Sequence, residues 1–260
     1  MNYTTIKINK EKTSCVVALN RPDVHNAMNE QLMKELTNCF TELSKDEYVR
    51  VVILTGEGKS FCAGADLHWM KSMATYSKEE NIKDSRLLLD LYETIYTCPK
   101  PVIGRINGHA FGGGLGLVAV CDITIGVPRK KFAFSEVKLG IIPSVISTYV
   151  VRRIGLAHMK RLFITGERFT AEHAKETGLL DYVVPEEKLD EVVQTYVDHL
   201  HSSGPNAIKE AKQLVSACEQ MSRADFKEFT VKKIAELRVS TEGQEGISAF
   251  LEKRKPSWSE

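Results

Sequence analysis

The run Val51-Val52-Ile53-Leu54 is apolar without a break and stops at Gly56-Glu57-Gly58. A strand with one wet face alternates polar and apolar residues, so an unbroken run must be covered on both sides. Helical sequence flanks the run on either side. Upstream, Leu32, Leu36, Phe40 and Leu43 recur at helical spacing, with Asn26 or Asn29 placed to cap. Downstream, residues 77–96 read as a long amphipathic helix that Pro99 and Pro101 must stop. Short β-rich runs at 4–8 and 14–19 come first, and further strands are predicted at 101–106, 123–126 and 131–134. Strands alternating with helices predict an α/β fold with much parallel pairing. From about residue 186 helix follows helix, with one apolar stripe at Phe226, Phe229, Ile234 and Leu237 and another at Ile247, Phe250 and Leu251. We therefore divide the chain into an α/β core, 1–200, and a helical region, 201–260, expected to make oligomer contacts.

Composition removes several classes of function. Lys plus Arg total 35 against 34 Asp plus Glu, a net charge of +1, so no global field attracts nucleic acid or a membrane surface. No apolar run approaches the roughly 18 residues of a membrane span, and residues 1–12 carry neither a signal-type apolar segment nor an Arg-rich presequence. We expect a cytoplasmic protein, or a mature one already processed. Six cysteines, at 15, 39, 62, 98, 121 and 218, form no C-x-x-C pair and mostly sit in apolar surroundings, the pattern of buried free thiols in a reducing compartment. The seven histidines show no H-x-x-x-H and none lies at zinc-ligand spacing from a cysteine, so no metal is expected. The absence of G-x-S-x-G disfavours a hydrolase nucleophile elbow.

Three segments could carry chemistry. In Ser60-Phe61-Cys62-Ala63-Gly64-Ala65-Asp66-Leu67, small residues allow close approach to the backbone and Asp66 can begin a helix. Taken alone, this is most simply a tight turn. Asn107-Gly108-His109-Ala110-Phe111-Gly112-Gly113-Gly114-Leu115-Gly116 lies after a strand and before a helix, a place suited to an anion or oxyanion. Its register is not G-x-G-x-x-G and no Lys-Ser/Thr follows, so it is neither a dinucleotide fingerprint nor a P-loop; plain helix–sheet packing on glycine explains it equally well. In Phe134-Ser135-Glu136-Val137-Lys138-Leu139-Gly140-Ile141-Ile142-Pro143, a glutamate among apolar residues could have a raised pKa and act as acid or base. Alternatively Glu136 pairs with Lys138 at the surface.

Taken in order, Asn20-Arg21-Pro22, Asn26-Ala27, F-C-A-G-A-D, N-G-x-A-x-G-G-G, S-E-V-K-L-G-I-I-P and A-F-L-E-K-R strongly resemble the crotonase (enoyl-CoA hydratase/isomerase) family over essentially the whole chain. The resemblance implies a spiral of ββα turns followed by helices that build trimers, usually paired into hexamers. It implies an acyl-CoA thioester substrate with no separate cofactor, CoA being part of the substrate. Backbone N–H groups at Ala65 and Gly113 would stabilise the enolate-like oxygen, and Glu136 matches the second of two catalytic glutamates. Ala63, Asp66 and Leu67 match positions beside the adenine end of CoA. Phe250 and Lys253 match positions in a neighbouring subunit's C-terminal helix that help hold its phosphate.

The chain departs from the family where the first glutamate belongs, since that position is Gly116. We expect its loss to leave room beside the substrate Cβ, for water or for the acyl group. Residues 144–154 also lack the family's G-G-G-T-Q-R stretch, which makes Val145, Ile146 and Tyr149 candidate acyl lining. Within the family, G-G-G-x-G-L, D-L-x-W-M and S-E-V-K-L-G-x-x-P-x-V-I-S resemble bacterial methylglutaconyl-CoA hydratases of leucine breakdown. The expected activity is hydration of a 2-enoyl-CoA, with fatty acid or leucine degradation as its setting and a Δ3,Δ2-isomerase as the alternative. A CoA-thioester-binding or RNA-associated protein without turnover is the reading from a different class. Neutral charge and retention of Glu136 speak against it.

Overall fold

The structure, a computed structural model, describes residues 3–259; Met1, Asn2 and Glu260 lie outside it. Strands β1 (Ile6–Glu11) and β2 (Ser14–Leu19) form an antiparallel hairpin. β3 (Val51–Gly56), β5 (Val102–Ile106), β7 (Ile123–Gly126) and β10 (Tyr182–Val183) then add in parallel, giving a six-stranded sheet ordered β1-β2-β3-β5-β7-β10. A second sheet of four strands holds β4 (Ser60–Cys62), β6 (His109–Phe111), β8 (Lys131–Ala133) and β9 (Phe169–Thr170). Each of β3, β5 and β7 is followed within a few residues by its successor in the second sheet, and then by helix. The chain thus climbs in ββα turns, as expected.

The unbroken apolar run has the two-sided cover it demands. Val52 and Leu54 belong to the main core with Leu36 and Phe40 of α1 (Glu30–Lys45). Val51 and Ile53, on the opposite face, pack with Val193 and Val197 of α7 (Leu189–Ser202). The alternation of side chains along a strand makes this division.

Of the two candidate caps, Asn29 starts α1, its side chain accepting from Leu32 N at 2.9 Å. Asn26 instead adopts a left-handed φ of 57° and ties its own loop to the turn between β3 and β4. Its Oδ1 accepts from Arg21 N (2.9 Å), and its Nδ2 donates to the carbonyls of Glu57 (2.9 Å) and Ser60 (2.8 Å). The long helix α3 (Lys78–Tyr96) begins at a Ser77–Glu80 capping box.

The short strands β4, β6, β9 and β10 carry no expectation from the sequence, and neither do α5 (Ser147–Thr165) and α6 (Ala171–Glu176). The strand expected at 131–134 ends one residue earlier, at Ala133. In the C-terminal helices, α8 (Pro205–Gln220) buries only Ala217, α10 (Thr241–Leu251) only Ala249, and α9 (Arg223–Val239) nothing. All six cysteines are free and only Cys218 is exposed. Among the described residues no helix is long and apolar enough to cross a membrane.

Candidate active site

The second sheet lays two loops side by side. β4 pairs in parallel with β6, Ser60 opposite His109 and Cys62 opposite Ala110, so residues 63–66 leave the sheet alongside 111–114. Met28 bridges the first loop: its N–H donates to Gly64 O (2.7 Å), and its carbonyl accepts from Asp66 N (2.8 Å). In such a parallel bridge the intervening residue turns its own N–H away from the partner strand. The Ala65 N–H therefore points away from Met28, and among the described residues it has no protein acceptor.

The second loop turns into α4 (Gly113–Ala119) at Gly112, whose φ of 49° is one that side chains rarely tolerate. As first residue of the helix, Gly113 has no intrahelical acceptor for its N–H. The peptides around it are nevertheless fixed. Gly112 N–H donates to Ala133 O (2.9 Å), Gly112 O accepts from Leu115 N (2.9 Å), and Gly113 O accepts from the Tyr92 hydroxyl (2.7 Å). Any Cβ on Gly113 would collide with Met28 Cε, and one on Gly114 with the carbonyl of Cys62. Two free backbone donors are thus held on rigid, side-chain-free supports, an arrangement that stabilises developing negative charge without reorganisation.

Glu136 faces this place. It opens the 3₁₀ turn Glu136–Leu139 after β8, and its Oε1 lies 3.2 Å from where a Cβ on Gly112 would stand. Its Oε2 is buried with no hydrogen-bond partner, and no ion pair to Lys138 forms among the described residues. Burial pushes its pKa above the ordinary glutamate range. A carboxylate with a buried, unsatisfied oxygen next to free N–H donors is a candidate general base.

A family model described as enoyl-CoA hydratase/isomerase matches residues 9–260. The chain belongs to that family. A structure of a putative enoyl-CoA hydratase/isomerase (crotonase) from Legionella pneumophila superposes with a TM-score of 0.92 at 41% identity, covering 99% of this chain and 100% of that one. An enoyl-CoA hydratase structure from Shewanella pealeana gives a TM-score of 0.95 at 36% identity, covering 98% of this chain and 96% of that one. The short-chain-enoyl-CoA hydratase of Clostridium acetobutylicum is 33% identical over 257 residues, 98% of this chain and 97% of the relative.

Within this enoyl-CoA hydratase/isomerase fold, one expectation requires correction. Gly116, where the resemblance puts a glutamate, does not leave room. A Cβ there would stand 2.5 Å from Ile146 Cγ2 and 2.6 Å from Tyr92 Cζ. Both neighbours are buried, so the space is already filled by an aliphatic and an aromatic side chain. Tyr92 is the residue that sequence reasoning missed. It packs on Gly116 and pins Gly113, but as one apolar position among several in α3 it carries no distinguishing signal. Burial first, and then the nearby Cys62 and Glu136, hold its phenol pKa well above normal, so it stays protonated.

The remaining candidates sort by position. Asp66 caps α2 (Leu67–Met73), accepting from His68 N (2.7 Å), and pairs with Arg21 at 2.8 Å, so its carboxylate is spent on structure. Ala63 donates its N–H to His25 O (3.0 Å), and Leu67 is 74% exposed beside it. Of the three lining candidates, Val145 is half-buried, Ile146 closes over Gly116, and Tyr149 is turned into the α3–α5 interface, where its hydroxyl donates to Glu93 (2.7 Å). Phe250 (82% exposed) and Lys253 sit at the end of α10, which packs against α8 and α9; within one chain they do not join the loop at 63–67.

Proposed function

We propose that the protein hydrates a 2-enoyl-CoA. The Ala65 and Gly113 N–H groups receive the thioester oxygen, and Glu136 takes a proton from the water whose oxygen bonds to Cβ. Charge collects on the thioester oxygen as an enolate, and the same glutamate returns the proton to Cα. CoA enters as part of the substrate, with Ala63, Asp66 and Leu67 beside its adenine end. The observation that carries this reading is the buried, unpartnered carboxylate of Glu136 next to two backbone donors. The names of the relatives support hydration as the reaction.

The substrate we favour is 3-methylglutaconyl-CoA, in leucine degradation, on the strength of the sequence motifs around Gly116, Trp69 and Glu136. We further propose that α9 and α10 build a trimer or hexamer in which Phe250 and Lys253 reach a neighbour's CoA. Val231, Val239, Phe250 and Leu251 are all exposed in the single chain, as a subunit contact would require. One observation favours a second reading: among the described residues no other carboxylate contributes to the raised pKa of Glu136, whose cause is burial. Moving a proton along an allyl system needs only one carboxylate, so a Δ3,Δ2-isomerase is the alternative. Incubation with crotonyl-CoA and with a 3-enoyl-CoA separates the two. Loss of the conjugated thioester absorbance from the first supports hydration, whereas its gain from the second alone transfers the protein to isomerases. No change with either, nor with 3-methylglutaconyl-CoA, removes both.

A further inference from the structure

A groove of about 600 Å³ runs between the first half of α3 and the start of α5. Its lining includes Arg86, Lys78, Asn81 and Thr148 and contains no carboxylate. Neither cation has an ion pair or hydrogen bond among the described residues. None of the acids nearby in sequence, Glu79 included, pairs with Lys78 or Arg86 among the described residues. Glu80 closes the capping box at Ser77, Asp84 accepts from Trp69 Nε1 (3.0 Å), and Asp90 lines a different groove against α1. Two uncompensated cations in a concave, hydroxyl-bearing site make a receptor for an anion.

One end of the groove is formed by neighbours in sequence of the buried Tyr92 and Ile146, which pack on Gly116. The groove's apolar lining is Ile82, Leu89 and Val145. Ile146, next in sequence to Val145, closes on Gly116, and Leu89 lies about one turn before Tyr92, whose hydroxyl pins Gly113. At a rise of 1.5 Å per residue, Arg86 stands about 9 Å along α3 from Tyr92 and Lys78 about 21 Å. An arginine side chain and a short acyl chain can span the first distance together but not the second.

We propose that this groove takes the acyl end of a 2-enoyl-CoA whose chain terminates in a carboxylate, and that Arg86 is the cation that pairs with it. The inference rests on the hydratase reading and specifies its substrate class. It also inverts the expectation built on Gly116: selectivity for a charged acyl chain comes from a cation supplied by α3, not from space vacated on α4.

The test compares kcat/KM for 3-methylglutaconyl-CoA and crotonyl-CoA in wild type, Arg86→Gln and Arg86→Lys. The ratio of the two values is expected to fall about two- to fivefold in Arg86→Gln, the scale of one partly exposed charge pair. Arg86→Lys should keep most of it. Raising salt should lower the wild-type ratio in the same direction, since the pair is screened. An unchanged ratio in Arg86→Gln, or a wild type that hydrates crotonyl-CoA but not the carboxylated substrate, overturns the proposal and leaves the hydratase reading standing. A wild type that hydrates neither substrate overturns both.

Discussion

Two acids within the family motifs, Asp66 and Glu136, have met opposite fates. Asp66 is only 4% exposed, yet every demand of its carboxylate is met by Arg21, His68 N and Trp69 N. Burial raises its pKa, but those hydrogen bonds outweigh burial and hold it below the ordinary aspartate value. Glu136 has burial that a hydrogen bond from its own backbone offsets only in part, an unpartnered Oε2 and a raised pKa. A motif therefore marks residues that matter without saying for what. The hydrogen-bond inventory separates the acid that holds two loops together from the acid kept free for a substrate.

The comparison can be broken most severely at Asp66. Asp66→Ala strands the Arg21 guanidinium and removes a helix cap. Loss of a buried partner costs about 3–5 kcal/mol, and the low end applies because Arg21 keeps 19% of its side chain in solvent. Denaturant unfolding should show a loss of about 3 kcal/mol, and kcat/KM should fall further than the folded population does, because the segment that carries the Ala65 N–H and meets CoA is loosened. Retained stability would mean that the ion pair does not organise the loop.

Gly116→Glu comes next. The new side chain would run into Ile146 and Tyr92, and overpacking typically costs about 1–3 kcal/mol, before counting an unpaired carboxylate. We expect a lowered Tm and reduced turnover of every enoyl-CoA, not a shift in acyl preference. A stable variant with altered preference would restore the view that position 116 opens onto the acyl chain.

The smallest effect is on pH dependence, and the two acids should pull it in opposite directions. Asp66 has a lowered folded pKa, so its stabilisation is complete above the unfolded value near 3.9 and is lost as pH falls through the folded one. Glu136 has a raised folded pKa. Its charged form is penalised at neutral pH, and the penalty lifts as pH falls through that value. Glu136→Gln should therefore have a Tm at least equal to wild type at neutral pH, with any advantage shrinking on acidification. A Tm clearly below wild type would show that Glu136 is structural after all.

The alternation of strands and helices, the long α3 and both candidate donor loops were legible because periodicity and punctuation extend over many residues there. Of the second sheet only β8 was, because strands of two or three residues, such as β9 and β4, are too short to show a period. α5 hid for another reason: Gly155, with φ 66° and ψ 167°, interrupts its helical phase. At Gly116 the sequence reveals that a side chain is missing. What fills the gap comes from Tyr92 and Ile146, distant in sequence and brought there only by the packing of α3 and α5 on α4.

The central claim is that Glu136 is held free for chemistry on an enoyl thioester. The direct test is the initial rate of crotonyl-CoA hydration by Glu136→Gln, in protein shown by circular dichroism to be folded as wild type. Removing an acid–base group typically costs 10²–10⁴ in rate, so a loss of about a hundredfold or more is expected. Hydration at close to the wild-type rate would contradict the account, because the only unsatisfied carboxylate at the site would then have no part in the reaction.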